Sequence, residues 1–251
     1  MHIGICDMIR DAGVNKVEKL KYRILAVEAL RAARRMLSLS YRQLAKEINM
    51  DETILARYSA GLSVPSYEHA IEILEALRRV LDPIKLAFSR AGELRGFLDL
   101  SPILSDPYML KILAIEFYER FRGRNINKIL VPEASGITLA TAISIIFEAT
   151  LVIARRIKDN PAIEYYEESI IEPPTTRNIF YVPKDSLRRG DRVLIVDDIV
   201  QTGLTLAVMK RFIDRVGAKL EGVAALVIIG DEWRKRVSVE NIEAIMRISK
   251  V

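Results

Sequence analysis

The sequence predicts an α/β protein in two parts: an all-α domain over residues 1–82 and a mainly parallel α/β domain over residues 83–251. Three observations predict it. The first part carries helical apolar spacing punctuated by helix-capping residues. In the second part, short branched-apolar runs at Lys128–Val131, Leu151–Ala154, Val193–Val196 and Gly222–Ile229 alternate with helical spacing, the pattern of a parallel sheet covered on both faces. Between the parts stands Asp82-Pro83, where proline disfavours helix in the residue before it.

In chain order, Leu20, Ile24, Val27, Leu30 and Met36 keep helical spacing over about residues 17–37 and form the expected buried face of a first helix. Ser40-x-x-Gln43 is a capping box that opens a short helix from Tyr41 to Ile48. Asn49 tolerates the left-handed turn that follows, and Asp51 caps a helix from Glu52 to Tyr58 that stops at Gly61. Pro65 and Ser66 introduce a helix with an expected core face of Ile71, Ile73, Leu74, Leu77 and Val80. Two short helices joined by a tight turn inside a small bundle form helix-turn-helix geometry.

The wording from Leu39 to Ser66 resembles the lambda-repressor-type helix-turn-helix domain, through Gln43-Leu44-Ala45, Tyr58, and Gly61 with Pro65. That resemblance implies that Glu52, Thr53, Ala56 and Arg57 lie on or beside the groove-facing side, with Tyr41, Arg42 and Gln43 near phosphates. The expected partner is double-stranded operator DNA. Glu52 departs from the glutamine common at its position; it repels phosphate but can accept from cytosine N4.

Residues 84–91 and 108–121 read as connecting helices, with Phe117, Tyr118 and Phe121 as core. Strands are then expected at Lys128–Val131, Leu151–Ala154, Asn178–Val182, Val193–Val196 and Gly222–Ile229, and Ala244–Ile248 closes the chain. Glu133-Ala134-Ser135-Gly136, Arg155-Arg156 and Asp197-Asp198 each fall just beyond a strand's C-terminal end, so one crevice should gather them. After the acidic pair, Val200, Gln201, Thr202, Gly203, Leu204 and Thr205 lead into helical spacing, and a helix N-terminus with Gly and Thr stabilises a phosphate. Carboxylates cannot hold a phosphate; the pair suits a vicinal diol or, through water, a metal.

The stretch V-L-I-V-D-D-I-V-Q-T-G-L-T, residues 193–205, resembles the phosphoribosyl-pyrophosphate (PRPP) motif of the type I phosphoribosyltransferases. The resemblance implies that Asp197 and Asp198 take the ribose 2′- and 3′-hydroxyls and that the loop from Val200 to Thr205 takes the 5′-phosphate. It implies a pyrophosphate turn at Glu133–Gly136, with Arg155 and Arg156 supplying charge, and PRPP bound as a Mg²⁺ complex without a standing protein metal site. The Glu133–Ile137 wording is similar to xanthine phosphoribosyltransferases and the bacterial purine repressors. Ser135 stands where the adenine and orotate enzymes tend to carry arginine or lysine.

Bulk properties exclude several classes. With 38 basic against 33 acidic residues the net charge is +5, which permits a nucleic-acid partner without demanding one. Cys6 is the single cysteine, so an intrachain disulfide is impossible and a reducing, cytoplasmic setting is expected. Neither His2 nor His69 suggests a partnership with it, and no apolar run reaches the ~20 residues of a membrane span.

Two functions remain. The whole chain resembles archaeal helix-turn-helix/phosphoribosyltransferase-like regulators of glucose and fructose catabolism. That resemblance implies a dimeric transcription regulator whose α/β domain senses PRPP or a related nucleotide, with no catalytic residue assigned. The alternative is an active purine-type phosphoribosyltransferase with an oligomerising or autoregulatory bundle. A shielding loop would lie between Arg156 and Arg177, but it carries Lys158 and Tyr165-Tyr166-Glu167-Glu168 rather than a lysine-rich motif, and two glutamates repel pyrophosphate.

Overall fold

The computed structural model describes residues 15–94, 97–172 and 176–249; Cys6, His2 and residues 173–175 of the Pro-Pro-Thr-Thr loop lie outside them. Two compact units meet at the peptide between Asp82 and Pro83.

The first unit holds four helices: α1 (Lys16–Met36), α2 (Tyr41–Glu47), α3 (Glu52–Ser59) and α4 (Tyr67–Leu81). Each start is written in a polar side chain. Asn15, Ser40, Asp51 and Ser66 all accept first-turn amides, and Ser40 and Gln43 close both halves of a capping box. Asn49 at φ 55° and Gly61 at φ 74° provide the left-handed turns that end α2 and α3. The buried face of α1 is the expected one only in part, at Leu30. Leu20 and Ile24 are half exposed, whereas Tyr22, Leu25, Ala26, Ala29, Leu30, Ala32 and Ala33 are buried. Helical spacing fits both stripes; the alanine-rich stripe lets α1 approach α4 closely, and its bulk is a Tyr22–Tyr67 edge-to-face pair at 5.8 Å. On α4 the core is Ala70, Ile73, Ala76, Leu77 and Leu81, with Ile71, Leu74 and Val80 only partly covered. Arg31 Nε donates to the Ser59 carbonyl and Arg23 Nε to that of Pro65, each at 2.6 Å, so α1 holds the C-terminal end of α3 and the segment leading into α4.

The second unit begins with α5 (Pro83–Arg90), a short antiparallel ribbon of β1 (Gly92–Leu94) and β2 (Phe97–Asp99), α6 (Ser101–Leu104) and α7 (Pro107–Arg120). Then come β3 (Lys128–Pro132), α8 (Ile137–Phe147), β4 (Thr150–Ala154), β5 (Tyr165–Glu172), β6 (Thr176–Pro183), β7 (Arg192–Val200), α9 (Leu204–Val216), β8 (Lys219–Ile229) and β9 (Ile242–Ile248). Five strands form one parallel sheet in the order β4-β3-β7-β8-β9. Both faces are covered, which is why its strands are nearly continuous apolar runs. Val193 and Ile195 join the cluster under α9 with Phe212, Met209 and Leu206, and alternation sends Leu194 and Val196 to the opposite face. Phe117 and Phe121 are core as expected, and the half-buried Tyr118 packs edge-to-face on Phe147 at 5.2 Å.

Two strand expectations change. Residues 178–182 do not join the parallel sheet; they lie in β6, which pairs antiparallel with β5 along its whole length. The span from Arg156 to Arg177, long enough for a loop, contains a hairpin strand from Tyr165, which is the expected account of the tyrosine pair. Among the described side chains of β6, Phe180 and Val182 are the deeply buried ones, which suits a hairpin resting one face on the core. The second change is that β7 does not stop at Val196 but runs through both aspartates to Val200.

Gly222 sits in tight packing: a Cβ there would press on the Phe121 ring and stand 2.9 Å from the Asn241 carbonyl oxygen. Gly222→Ala is expected to destabilise the α/β unit by about 1–3 kcal/mol through overpacking. A thermal melt checks it, and an unshifted midpoint would mean the β8–β9 crossover relaxes freely.

Candidate functional site

Asp197 is the chemical centre of the second unit. It sits in the central strand with only 7% of its surface exposed, and its Oδ1 accepts the Asp198 backbone N–H at 3.0 Å. Among the described residues neither aspartate has an ion-pair partner. Burial, and then the neighbouring charge of Asp198, push the Asp197 carboxyl well above the usual range. A ligand offering hydroxyls or a cation would relieve both effects.

Asp197, Ile199, Val200, Gln201, Thr202, Gly203, Leu204, Thr205 and Leu206 line a cavity of about 200 Å³. Gly203 begins α9 at φ 76° and offers no side-chain cap, so first-turn amides of the helix are left for a ligand. The Leu204 N–H is shared with Thr202 Oγ1 at 3.4 Å. A side chain at Gly203 is barred twice over, by its φ and by Trp233, whose Cα would lie 2.8 Å from a Cβ.

The loop after β3 reaches the same place. A Cβ on Gly136 would stand 3.3 Å from the Asp198 nitrogen and 3.4 Å from the Asp197 Cα, so this glycine allows the turn to lie against the acidic pair. The Glu133–Ala134 peptide is cis. Ala134 and Ser135 are exposed, and Glu133 Oε2 accepts the Arg156 backbone N–H at 2.7 Å. Backbone and carboxylate thus join the three segments. The arginine side chains have other partners: Arg155 Nε is 3.1 Å from Asp159, and Arg156 lies 4.0 Å over the buried Phe180 ring. Among the described residues no group of three or more His, Cys, Asp or Glu could hold a metal.

Glu167 and Glu168 were expected to repel pyrophosphate from a loop. Glu168 instead pairs with Arg211 at 2.9 Å and Arg215 at 3.3 Å, both on α9, and Lys158 stands 3.6 Å from Glu167. The hairpin is held to the helix that forms the cavity.

Trp233 and Arg236 had no place in the sequence reading. They lie in and after a 3-10 turn at Glu232–Lys235, where Trp233 backs Gly203 and Arg236 donates to the Thr202 carbonyl at 2.9 Å. Only the isolation of the single tryptophan in a polar stretch marked this segment.

In the first unit, Arg42, Gln43, Glu52, Thr53 and Arg57 are exposed, Tyr41 and Ala56 partly so. Leu55, Tyr58 and Ser59 are the buried side of α3, which leaves Thr53 and Arg57 on the opposite side. Gln43 Oε1 accepts from Ser40 at 2.9 Å within the capping box, so its amide hydrogens are what remain for a partner. Tyr41 lies under Arg34, 4.7 Å from ring to guanidinium.

The raised Asp197 carboxyl fixes the sign of a pH effect. The folded chain holds this proton more tightly than the unfolded chain, so stability falls as pH rises from the ordinary carboxylate range through the folded value. Asp197→Asn is therefore expected to raise the melting temperature at neutral pH, with the gain vanishing in acid. A variant less stable than the parent at neutral pH would contradict this.

The phosphoribosyl transferase domain family matches residues 102–249, and the helix-turn-helix family matches residues 30–82. Adenine phosphoribosyltransferase of Anaeromyxobacter dehalogenans is 32% identical over 138 residues, 52% of this chain and 74% of that protein. The enzyme of the same name from Marinobacter nauticus is 29% identical over 136 residues, 54% of this chain and 74% of its own. The adenine phosphoribosyltransferase structures from Rhodothermus marinus and Thermoanaerobacter pseudethanolicus superpose with TM-scores of 0.61 and 0.60 at 23% and 20% identity, each covering 66% of this chain and 99% of theirs. These relatives carry the adenine name, where the Glu133–Ile137 wording resembled the xanthine type. The chain belongs to the phosphoribosyl transferase domain family and carries a helix-turn-helix domain ahead of it.

Proposed function

We propose that this chain is a DNA-binding transcription regulator whose phosphoribosyltransferase-like domain takes PRPP or a related nucleotide as its effector. The carrying observation is that one chain joins a helix pair whose second helix leaves Thr53 and Arg57 exposed to a crevice whose buried acidic residue has no ion-pair partner among the described residues and stands beside a helix N-terminus. The crevice suits a ribose phosphate, with hydroxyls on Asp197 and Asp198 and phosphate on the Thr202–Thr205 turn. Asp197 and Asp198 would also hold a Mg²⁺ ion brought by the ligand, and the ion would supply charge neutralisation at the phosphate oxygens.

A regulator of this kind works as a dimer, with two α3 helices reading half-sites about one DNA turn apart. The effector can shift the two dimer geometries only by its differential affinity for them. No described helix is long and apolar enough to cross a membrane, and the expected setting is the cytoplasm.

The second reading, an active purine-type transferase, is favoured by the adenine phosphoribosyltransferase names of the relatives. Pyrophosphate release from PRPP, Mg²⁺ and each common base separates the two: turnover of ~1 s⁻¹ or more makes the chain an enzyme.

DNA affinity, measured on duplexes selected from a random pool, is expected to fall steeply with salt and to weaken by about 1–3 kcal/mol in Arg57→Ala. Affinity indifferent to both would remove α3 from the interface. The Asp197→Asn/Asp198→Asn double variant should keep basal DNA binding and lose its response to PRPP; an unchanged PRPP titration would refute the crevice.

A further inference from the structure

Arg236 reaches the turn before α9 from a segment that carries no motif, and we infer that it is a positioning residue: it holds the Thr202–Gly203 peptide so that the Gly203 N–H faces the ligand's phosphate. This inference rests on reading the crevice as a ribose-phosphate site.

The peptide between Thr202 and Gly203 has two polar groups and can present either to the cavity, because a glycine on one side leaves it easy to rotate. Its carbonyl would repel a phosphate, and its N–H would bind one. A trans peptide points the two in opposite directions. Arg236 Nη1 donates to the Thr202 carbonyl at 2.9 Å, and Arg236 is not among the residues lining the cavity, whereas Thr202 and Gly203 are. With the carbonyl held on the Arg236 side, the Gly203 N–H is turned to the cavity side. Among the described residues this N–H has no acceptor of its own. A charged donor on the carbonyl also polarises the peptide, which makes its N–H the stronger donor.

The segment that carries Arg236 is anchored where this requires. Trp233 is 1% exposed, in the cluster with Val200, Leu206 and Ile228, and it packs against Gly203 itself. The Trp233 carbonyl accepts the Arg236 N–H at 3.0 Å and the Val237 N–H at 3.1 Å, which ties the arginine backbone to that anchor. Nearby Arg234 is engaged by Asp231 at 3.0 Å and by the Trp233 ring at 4.5 Å. Arg236 has no ion-pair partner among the described residues, so its charge stays with the turn. One exposed hydrogen bond adds little to the stability of a fold. Its effect here is on which side of one peptide the ligand meets.

The test is calorimetric titration of the full chain with ribose 5-phosphate at fixed Mg²⁺, beside thermal melts without ligand. Arg236→Ala is expected to bind ribose 5-phosphate about fivefold more weakly at an unchanged melting temperature. Arg236→Lys can still donate to the carbonyl and should stay within about twofold of the parent chain. Unchanged affinity in Arg236→Ala overturns the inference, and so does an Arg236→Lys variant as weak as Arg236→Ala. A loss of affinity matched by a lower ligand-free melting temperature overturns it too, by making the arginine a brace of the fold. If the parent chain does not bind ribose 5-phosphate, or binding survives Asp197→Asn/Asp198→Asn, the crevice reading falls and the inference with it.

Discussion

The α/β unit is organised around a carboxylate buried without a cation. Burying an ionised carboxylate is among the most unfavourable acts in folding, and proteins normally offset it with a partner. This chain does so elsewhere. Glu116 is paired with Arg120 at 2.8 Å, and Glu221 lies 3.0 Å from both Arg192 and Lys219. Asp197, equally buried, receives one backbone N–H and faces the charge of Asp198. A parallel sheet covered on both faces holds it in place: β7 pairs with β3 through Ile195 and with β8 at Asp197 itself, opposite Ala225.

The same strand accounts for what sequence could and could not reveal. Four consecutive branched residues at Val193–Val196 can only be a short doubly buried strand in this context, and the turn, glycine and helix after them follow from local chemistry. Hence the acidic pair, the Thr202–Thr205 turn and the helix caps of the first unit were legible. Apolar periodicity does not say where a strand ends once polar residues are held by neighbours, so β7 was read four residues short. Nor does it choose between two stripes of one helix: alanine counts for little in an apolar pattern, yet a close helix contact prefers it, and the buried side of α1 is alanine-rich for that reason.

The hairpin illustrates a different limit. Residues 165–182 contain two β-rich segments, but nothing local decides whether such segments enter the central sheet or pair with each other. That choice belongs to α9, whose Arg211 and Arg215 meet Glu168 and the carbonyls of Glu167 and Ser169. Trp233 and Arg236 lay beyond reach for the same reason, since their roles exist only relative to Gly203 and Thr202, some thirty residues earlier in the chain.

These tertiary ties bear on the choice between sensor and catalyst. A transferase working through an oxocarbenium-like state has to close over its substrate, exclude water and let pyrophosphate go. The segment placed to close is here tied to α9 by two arginines and to the β4 end by Arg155, Arg156 and Lys158. Each tie alone is weak, but together they oppose a large excursion of the hairpin without opposing entry of a small phosphate at the α9 end. A regulator needs only that the occupied and empty crevice differ in free energy. Under the proposed reading, a buried acid that is unfavourable to ionise until a ligand arrives would meet that requirement with no chemical step.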